Sequence, residues 1–147
     1  MSPFYKAGAR CGATVTPMRT AEGPFSITMT GEPPFDEQHG ISLARARFEK
    51  RFSGPLEATS VVHCLSARTT VANSAGYVAL ERISGTLEGR AGSFVALHLG
   101  LMDRGSDSLR IELVPDSATG DLRGLRGTMT IRIVDRQHFY RLDYELG

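Results

Sequence analysis

"GYVALERISGTLEGRAGSFVALHLGLM", residues 76 to 102, reads as two β-strands folded back on each other at Glu88-Gly89-Arg90. Residues on either side of the link alternate with period two, and a short Gly-containing link is hairpin chemistry. A turn at Glu88-Gly89 pairs Leu87 with Arg90 and sets Glu81 opposite Ala96, with His98 one diagonal step away. A turn at Gly89-Arg90 sets Glu81 directly opposite His98. Either register puts Glu81 and His98 on one face of the ribbon, within reach of each other as an acid and imidazole pair. Alternation alone does not say which face is inside. It favours burying Val78, Leu80, Val95, Leu97, Leu99 and Leu101, which would leave Glu81 and His98 in water.

Outward from this hairpin the same alternation recurs. "FSITMT" (25–30) sets Phe25, Ile27 and Met29 on one side, and "EPPFDEQHG" (32–40) breaks the chain, because paired prolines do not sit in a central strand. "LARARFEKRF" (43–52) sets Arg45, Arg47, Glu49 and Arg51 against Ala44, Ala46, Phe48, Lys50 and Phe52, so Lys50 is a cation on an apolar face. "LEATSVVHCLSA" (56–67) is a further strand of unassigned facing. "SLRIELV", "TMTIRIV" and "HFYRLDYEL" alternate as cleanly, the last with Tyr140, Leu142, Tyr144 and Leu146 on one side. No segment carries a helical stripe. About eight strands joined by short turns predict an all-β fold, an eight-stranded antiparallel up-and-down closed barrel that leaves no exposed edge. An interior of that size is either filled by side chains or holds one small ligand.

The chain has 147 residues, 41% of them hydrophobic, enough for one domain with its own core. Residues 1–23 lack either periodicity and read as an N-terminal arm, leaving 24–147 as the barrel domain. Seventeen basic residues against 16 acidic ones give a net charge of +1, no field for collecting nucleic acid or an anionic membrane. Cys11 and Cys64 are the only cysteines, read as free thiols of a reducing compartment. Without a continuous apolar segment at the start of the sequence, a cytoplasmic location is expected. His39, His63, His98 and His138 are scattered, and no Cys or acidic residue joins them at metal-ligand spacing. "GDLRGLRG" (120–127) has neither dinucleotide nor P-loop spacing. Neither a metal nor a cofactor is expected.

Four segments, "FEKRFSG", "YVALERISGTLEGRAGSF", "PDSATGDLRGLRG" and "LDYEL", resemble in sequence and order a bacterial domain-of-unknown-function family, DUF family 3224. The resemblance spans roughly residues 24 to 146. Barrels of that family resemble allene oxide cyclase, and "TGDLRGLRG" is similar to the signature loop of allene oxide cyclases and dirigent proteins. The resemblance implies an eight-stranded barrel with an internal cavity, often oligomeric. Related barrels bind reactive hydrophobic intermediates and steer their cyclisation by shape, without a cofactor.

The resemblance also reverses the facing suggested by alternation, because family members tend to be polar where this chain has Leu97, Leu99 and Leu101. Tyr77, Ala79, Glu81, Ile83, Phe94, Ala96, His98, Gly100 and Met102 then line the lumen, with room left at Ala79, Ala96 and Gly100. Glu81, His98 and Lys50 become the candidate catalytic residues, for proton transfer and for stabilising negative charge on oxygen. Tyr77, Phe48, Phe94, Met102, Tyr140 and Tyr144 become the candidate ligand contacts. Since a buried charge is costly unless paired, Lys50 is expected to meet Glu81 or a tyrosine hydroxyl. A structural ion pair that plugs the barrel is the competing reading. The functional expectation is a small-molecule barrel for a hydrophobic, partly oxygenated ligand, acting as a cyclase or isomerase; the alternatives are a noncatalytic carrier and a structural oligomer. With Leu97 and its neighbours outside, a homodimer through that strand is expected.

Overall fold

Alternating segments pair only with segments of matching pattern, and a sheet that right-twists over many strands closes on itself. The computed structural model describes residues 16–147. Its strands are β1 (Arg19–Gly31), β2 (Asp36–Gln38), β3 (Ile41–Phe52), β4 (Leu56–Arg68), β5 (Ala75–Leu87), β6 (Arg90–Asp103), β7 (Ser106–Leu113), β8 (Arg126–Val134) and β9 (Gln137–Glu145). Sequence neighbours from β3 to β9 pair antiparallel, and β1 closes the ring. Its first half, from Arg19 to Phe25, pairs with β9, and its second half, from Phe25 to Gly31, pairs with β3. Eight strands therefore form a closed antiparallel barrel. The three-residue β2, inside the stretch expected only to break the chain, pairs with β3 alone.

The deciding hairpin takes the first of the two registers: Leu87 pairs with Arg90 and Glu81 with Ala96. Glu88 and Gly89 have φ of 48° and 83°, the double positive φ of a type I′ turn, whose twist matches that of the strands it joins. Phe94, Ala96 and His98 are buried, while Leu97, Leu99 and Leu101 are about half exposed. The inward face is thus the one that resemblance indicated and alternation alone disfavoured.

β1 begins at Arg19, so residues 19–23, read from sequence as part of an arm, belong to the barrel wall; Ala21 is completely buried. Residues 1–15, with Cys11, lie outside the described residues. One end of the barrel is packed solid by a single cluster that includes Phe52, Leu56, Ile83, Leu87, Phe94, Tyr140, Leu142 and Tyr144. The Gly-rich loop covers that end: Gly120–Leu122 forms a 3-10 turn, Leu122 and Leu125 are buried, and the Thr119 amide donates to the Ser93 carbonyl at 2.8 Å. At the opposite end β7 and β8 separate, since only Ile111↔Met129 and Glu112↔Thr128 pair between them.

Candidate functional site

Along β5 the inward positions run from Leu87 and Ile83 in the packed end, through Glu81, to Ala79 and Tyr77 toward the open end. Glu81 therefore sits where the core stops, and it is completely buried. Three neighbouring strands supply its partners. His98 Nε2 on β6 lies 2.8 Å from Oε1, Lys50 Nζ on β3 donates to the same oxygen at 3.3 Å, and Ser60 Oγ on β4 donates to Oε2 at 2.5 Å. Lys50, Ser60 and His98 are themselves buried. The ammonium of Lys50 also lies 5.1 Å from the Phe25 ring centroid and 5.9 Å from that of Phe52, where the ring faces attract a cation.

Burial by itself pushes the Glu81 carboxyl up. The hydrogen bond from His98, the Lys50 charge, the Ser60 hydrogen bond and the charge on His98 together outweigh it, so the group is held below the usual carboxylate range. Burial pushes the Cys64 thiol up, and Tyr77 is raised by burial and by the nearby Cys64 and Glu81. Glu81 is thus an ionised carboxylate among a cation, an imidazole and neutral hydroxyl and thiol groups.

A stability change with pH follows. The unfolded carboxyl titrates near its ordinary 4.5 and the folded one lower, so between the two values the unfolded chain binds more protons. Stabilisation by the ionised cluster is therefore complete above about 4.5 and is lost as pH falls through the folded value. The charged or titratable groups around Glu81 and its cavity are Lys50 on β3, Cys64 on β4, Tyr77 on β5, His98 on β6 and His138 on β9. Melting temperature measured against pH should drop more steeply on the acid side for the wild type than for Glu81→Gln. Parallel acid limbs would contradict the assignment.

Beside the cluster, toward the open end, lies a cavity of about 170 Å³ lined by seven of the eight barrel strands, all but β7. Ile27, Phe48, Val62, Ala79 and Ile131 make its apolar wall; Lys50, His98, Tyr77, Cys64 and His138 add polar or polarisable groups. Larger concavities of about 920 and 630 Å³ lie on the outer wall, among outward-facing side chains such as Arg47, His63 and Leu80. The larger of the two also touches Lys50 and Ser60, but neither touches His98, so the lumenal cavity is the one lined by both Lys50 and His98.

The structure brings Lys50, Glu81 and His98 together, and Tyr77 and Phe48 line the cavity beside them. Phe94, Tyr140 and Tyr144 do not: all three are part of the packed end. The Tyr140 hydroxyl is occupied there, donating to the Ser53 carbonyl at 2.7 Å and accepting from the Leu56 amide at 3.1 Å. Met102 is 39% exposed, because parity points a side chain inward only while there is a lumen to enter, and β6 ends at Asp103. The room expected at Gly100 is taken by Tyr77, whose ring lies where a Cβ at that position would stand.

Ser60, Cys64 and His138 escaped the sequence reading. Ser60 pairs with Lys50 across β3 and β4, and Cys64, Ala79 and His98 form one row across β4, β5 and β6. The link between β3 and β4 spans Ser53, Gly54 and Pro55, with Phe52 opposite Ala58. That is too long a link for the register to be counted from its tip. Given the inward facing of Lys50, the alternation Leu56-Ala58-Ser60-Val62-Cys64 was the available signal.

Fold and site together define a class: a closed antiparallel barrel, packed at one end, with an ionised cluster set between that packing and a small apolar cavity. Over residues 21–144 the chain matches the family described as Protein of unknown function (DUF3224), and it belongs to that family. It is similar to a protein with unknown function from the DUF3224 family of Shewanella oneidensis MR-1, known from a crystal structure. The two are 43% identical, the match covers 89% of this chain and 98% of that one, and the TM-score is 0.85. No curated protein matches the chain. Among the described residues, no helix is long and apolar enough to cross a membrane.

Proposed function

We propose that this barrel binds a small, largely apolar, oxygen-bearing molecule in the lumenal cavity and acts on it as a cofactor-independent isomerase or cyclase. The observation that carries the reading is the fully buried Glu81, held by His98, Lys50 and Ser60 beside an apolar cavity of about 170 Å³. A barrel that needed only a core would extend its packing to this level, since hydrophobic residues stabilise an interior as well as a buried ion pair does. The apolar wall restricts the bound molecule to few conformers, the His98–Glu81 pair moves a proton, and Lys50 stabilises negative charge on oxygen. Likeness to allene oxide cyclase belongs to this proposal and supports the reaction class by analogy of shape. A cytoplasmic location completes it.

The test is mass spectrometry of small molecules that copurify with the wild type and with Glu81→Gln, with circular dichroism as the check on folding. Glu81→Gln is expected to retain about tenfold less of the compound, a difference of about 1.4 kcal/mol. Equal retention would remove the cluster from the site. A compound recovered chemically unchanged after incubation with the wild type would make the barrel a carrier.

We also propose that the protein works as a homodimer through the outer face of β4, β5 and β6. Leu65, Val78 and Leu99 form one row across these strands, Leu80 and Leu97 form the next, and Leu101 extends the patch. These six side chains are between 46% and 54% exposed, and two of the cations beside them are held by carboxylates, Arg47 by Glu49 and Arg110 by Glu112. A contiguous apolar patch matches a second copy of itself, as a two-fold contact requires.

A further inference from the structure

The chemistry of the cavity narrows what enters it; this inference rests on the ligand-binding reading above. Volume sets the first limit. An apolar cavity near 150 Å³ holds one benzene molecule, so about 170 Å³ admits one six-membered ring with one or two small substituents. Hydrogen bonding sets the second. With Glu81 ionised, the bond at His98 Nε2 is donated by the ring, and in its neutral form the imidazole then carries a lone pair on Nδ1. Nδ1 makes no hydrogen bond among the described residues, yet none of their buried side-chain nitrogens or oxygens lacks a partner, so Nδ1 is open to the cavity that His98 lines. Lys50 lines the same cavity and gives one N–H to Glu81, with two more available.

A hydroxyl satisfies an acceptor and a cation side by side, and only one on an sp² carbon is acidic enough to pass its proton to an imidazole. We infer that the cavity takes a phenol or a cyclic enol, whose O–H donates to His98 Nδ1 while its oxygen faces Lys50. Transfer of that proton to Nδ1 makes an imidazolium stabilised by Glu81 and an oxyanion stabilised by Lys50, and no other bond changes. Run backwards, the same transfer returns the proton from Nδ1 to the oxygen and regenerates the phenol or enol. Other groups fit worse. A carboxylate turns acceptors toward the Nδ1 lone pair, an ammonium meets Lys50, and a hydrocarbon leaves both groups without a partner.

The probes are 4-nitrophenol, its hydroxyl-free analogue 4-nitrotoluene, and 4-nitrobenzoate, titrated calorimetrically into the full-length protein. Nitrophenolate absorbance is read in parallel. The expected results are binding of 4-nitrophenol roughly tenfold or more tighter than either analogue, and a larger nitrophenolate fraction in the bound state than in buffer at the same pH. His98→Gln, which keeps an N–H for Glu81 but offers no base, is expected to abolish the gain in nitrophenolate. Ala79→Val, which narrows the cavity from the neighbouring strand, serves as the independent variant and is expected to weaken all binding. Equal affinity for 4-nitrophenol and 4-nitrotoluene would overturn the inference and leave the ligand-binding reading standing, as would tighter binding of 4-nitrobenzoate. A nitrophenolate gain that survives His98→Gln would remove Nδ1 as the acceptor. Binding of none of the three would overturn both.

Discussion

Glu81→Ala is expected to lower the free energy of unfolding by about 3–5 kcal/mol, because removing one member of a buried ion pair leaves the other uncompensated. In this barrel the abandoned group is Lys50, whose remaining neighbours are the ring faces of Phe25 and Phe52, while Ser60 and His98 lose their acceptor as well. Typical domains are stable by only 5–15 kcal/mol, so the loss is a large fraction of the total and corresponds to roughly 6–20 °C in melting temperature. Urea unfolding of the two proteins checks it. The pair itself is a different matter, since two charges taken out of water gain little over a well-packed apolar substitute. The double variant Lys50→Met/Glu81→Leu should therefore recover most of the stability lost in Glu81→Ala while binding no ligand. A loss below about 1 kcal/mol in the single variant would mean that water reaches Lys50 freely and that the site is not enclosed.

Leu97→Asp is expected to convert the proposed dimer to monomer. Leu97 lies on β6 beside Leu80 and is 46% exposed on the outer wall, within the proposed contact. Burying an unpaired carboxylate there costs several kcal/mol, enough to raise the dissociation constant by a factor of about a hundred or more. The barrel itself should be little affected. The side chain points away from the core, and its neighbour across the ladder, Glu112, is already held by Arg110, which limits the repulsion to about 1 kcal/mol. Light scattering over a range of concentrations should give twice the chain mass for the wild type and the chain mass for the variant, with closely similar melting temperatures. A wild type that stays monomeric at the highest concentration would dismiss the interface.

What the sequence determined by itself is local and periodic. Alternation along "LARARFEKRF" and "HFYRLDYEL", together with short Gly links, is enough for an antiparallel barrel, because a strand has only two faces and a hairpin has few registers. The same reasoning put Glu81 and His98 on one face, and placed Lys50 with Phe48 and Phe52, before any tertiary contact was known. The choice between faces was not local. Phe94, Ala96 and His98 compete with Val95, Leu97 and Leu99 for the interior, both sets are apolar enough, and closure of eight strands decides by volume: small Ala79, Ala96 and Gly100 fit where six outward-facing large side chains would not. Depth was not local either. Period two says that Tyr140, Tyr144, Phe94 and Met102 share the inward parity of Tyr77, but not that the first three lie in the packed end and Met102 beyond the lumen. Ser60 became a partner of Glu81 only through the stagger of β4 between β3 and β5, a quantity set by the whole ring of strands and by no single turn.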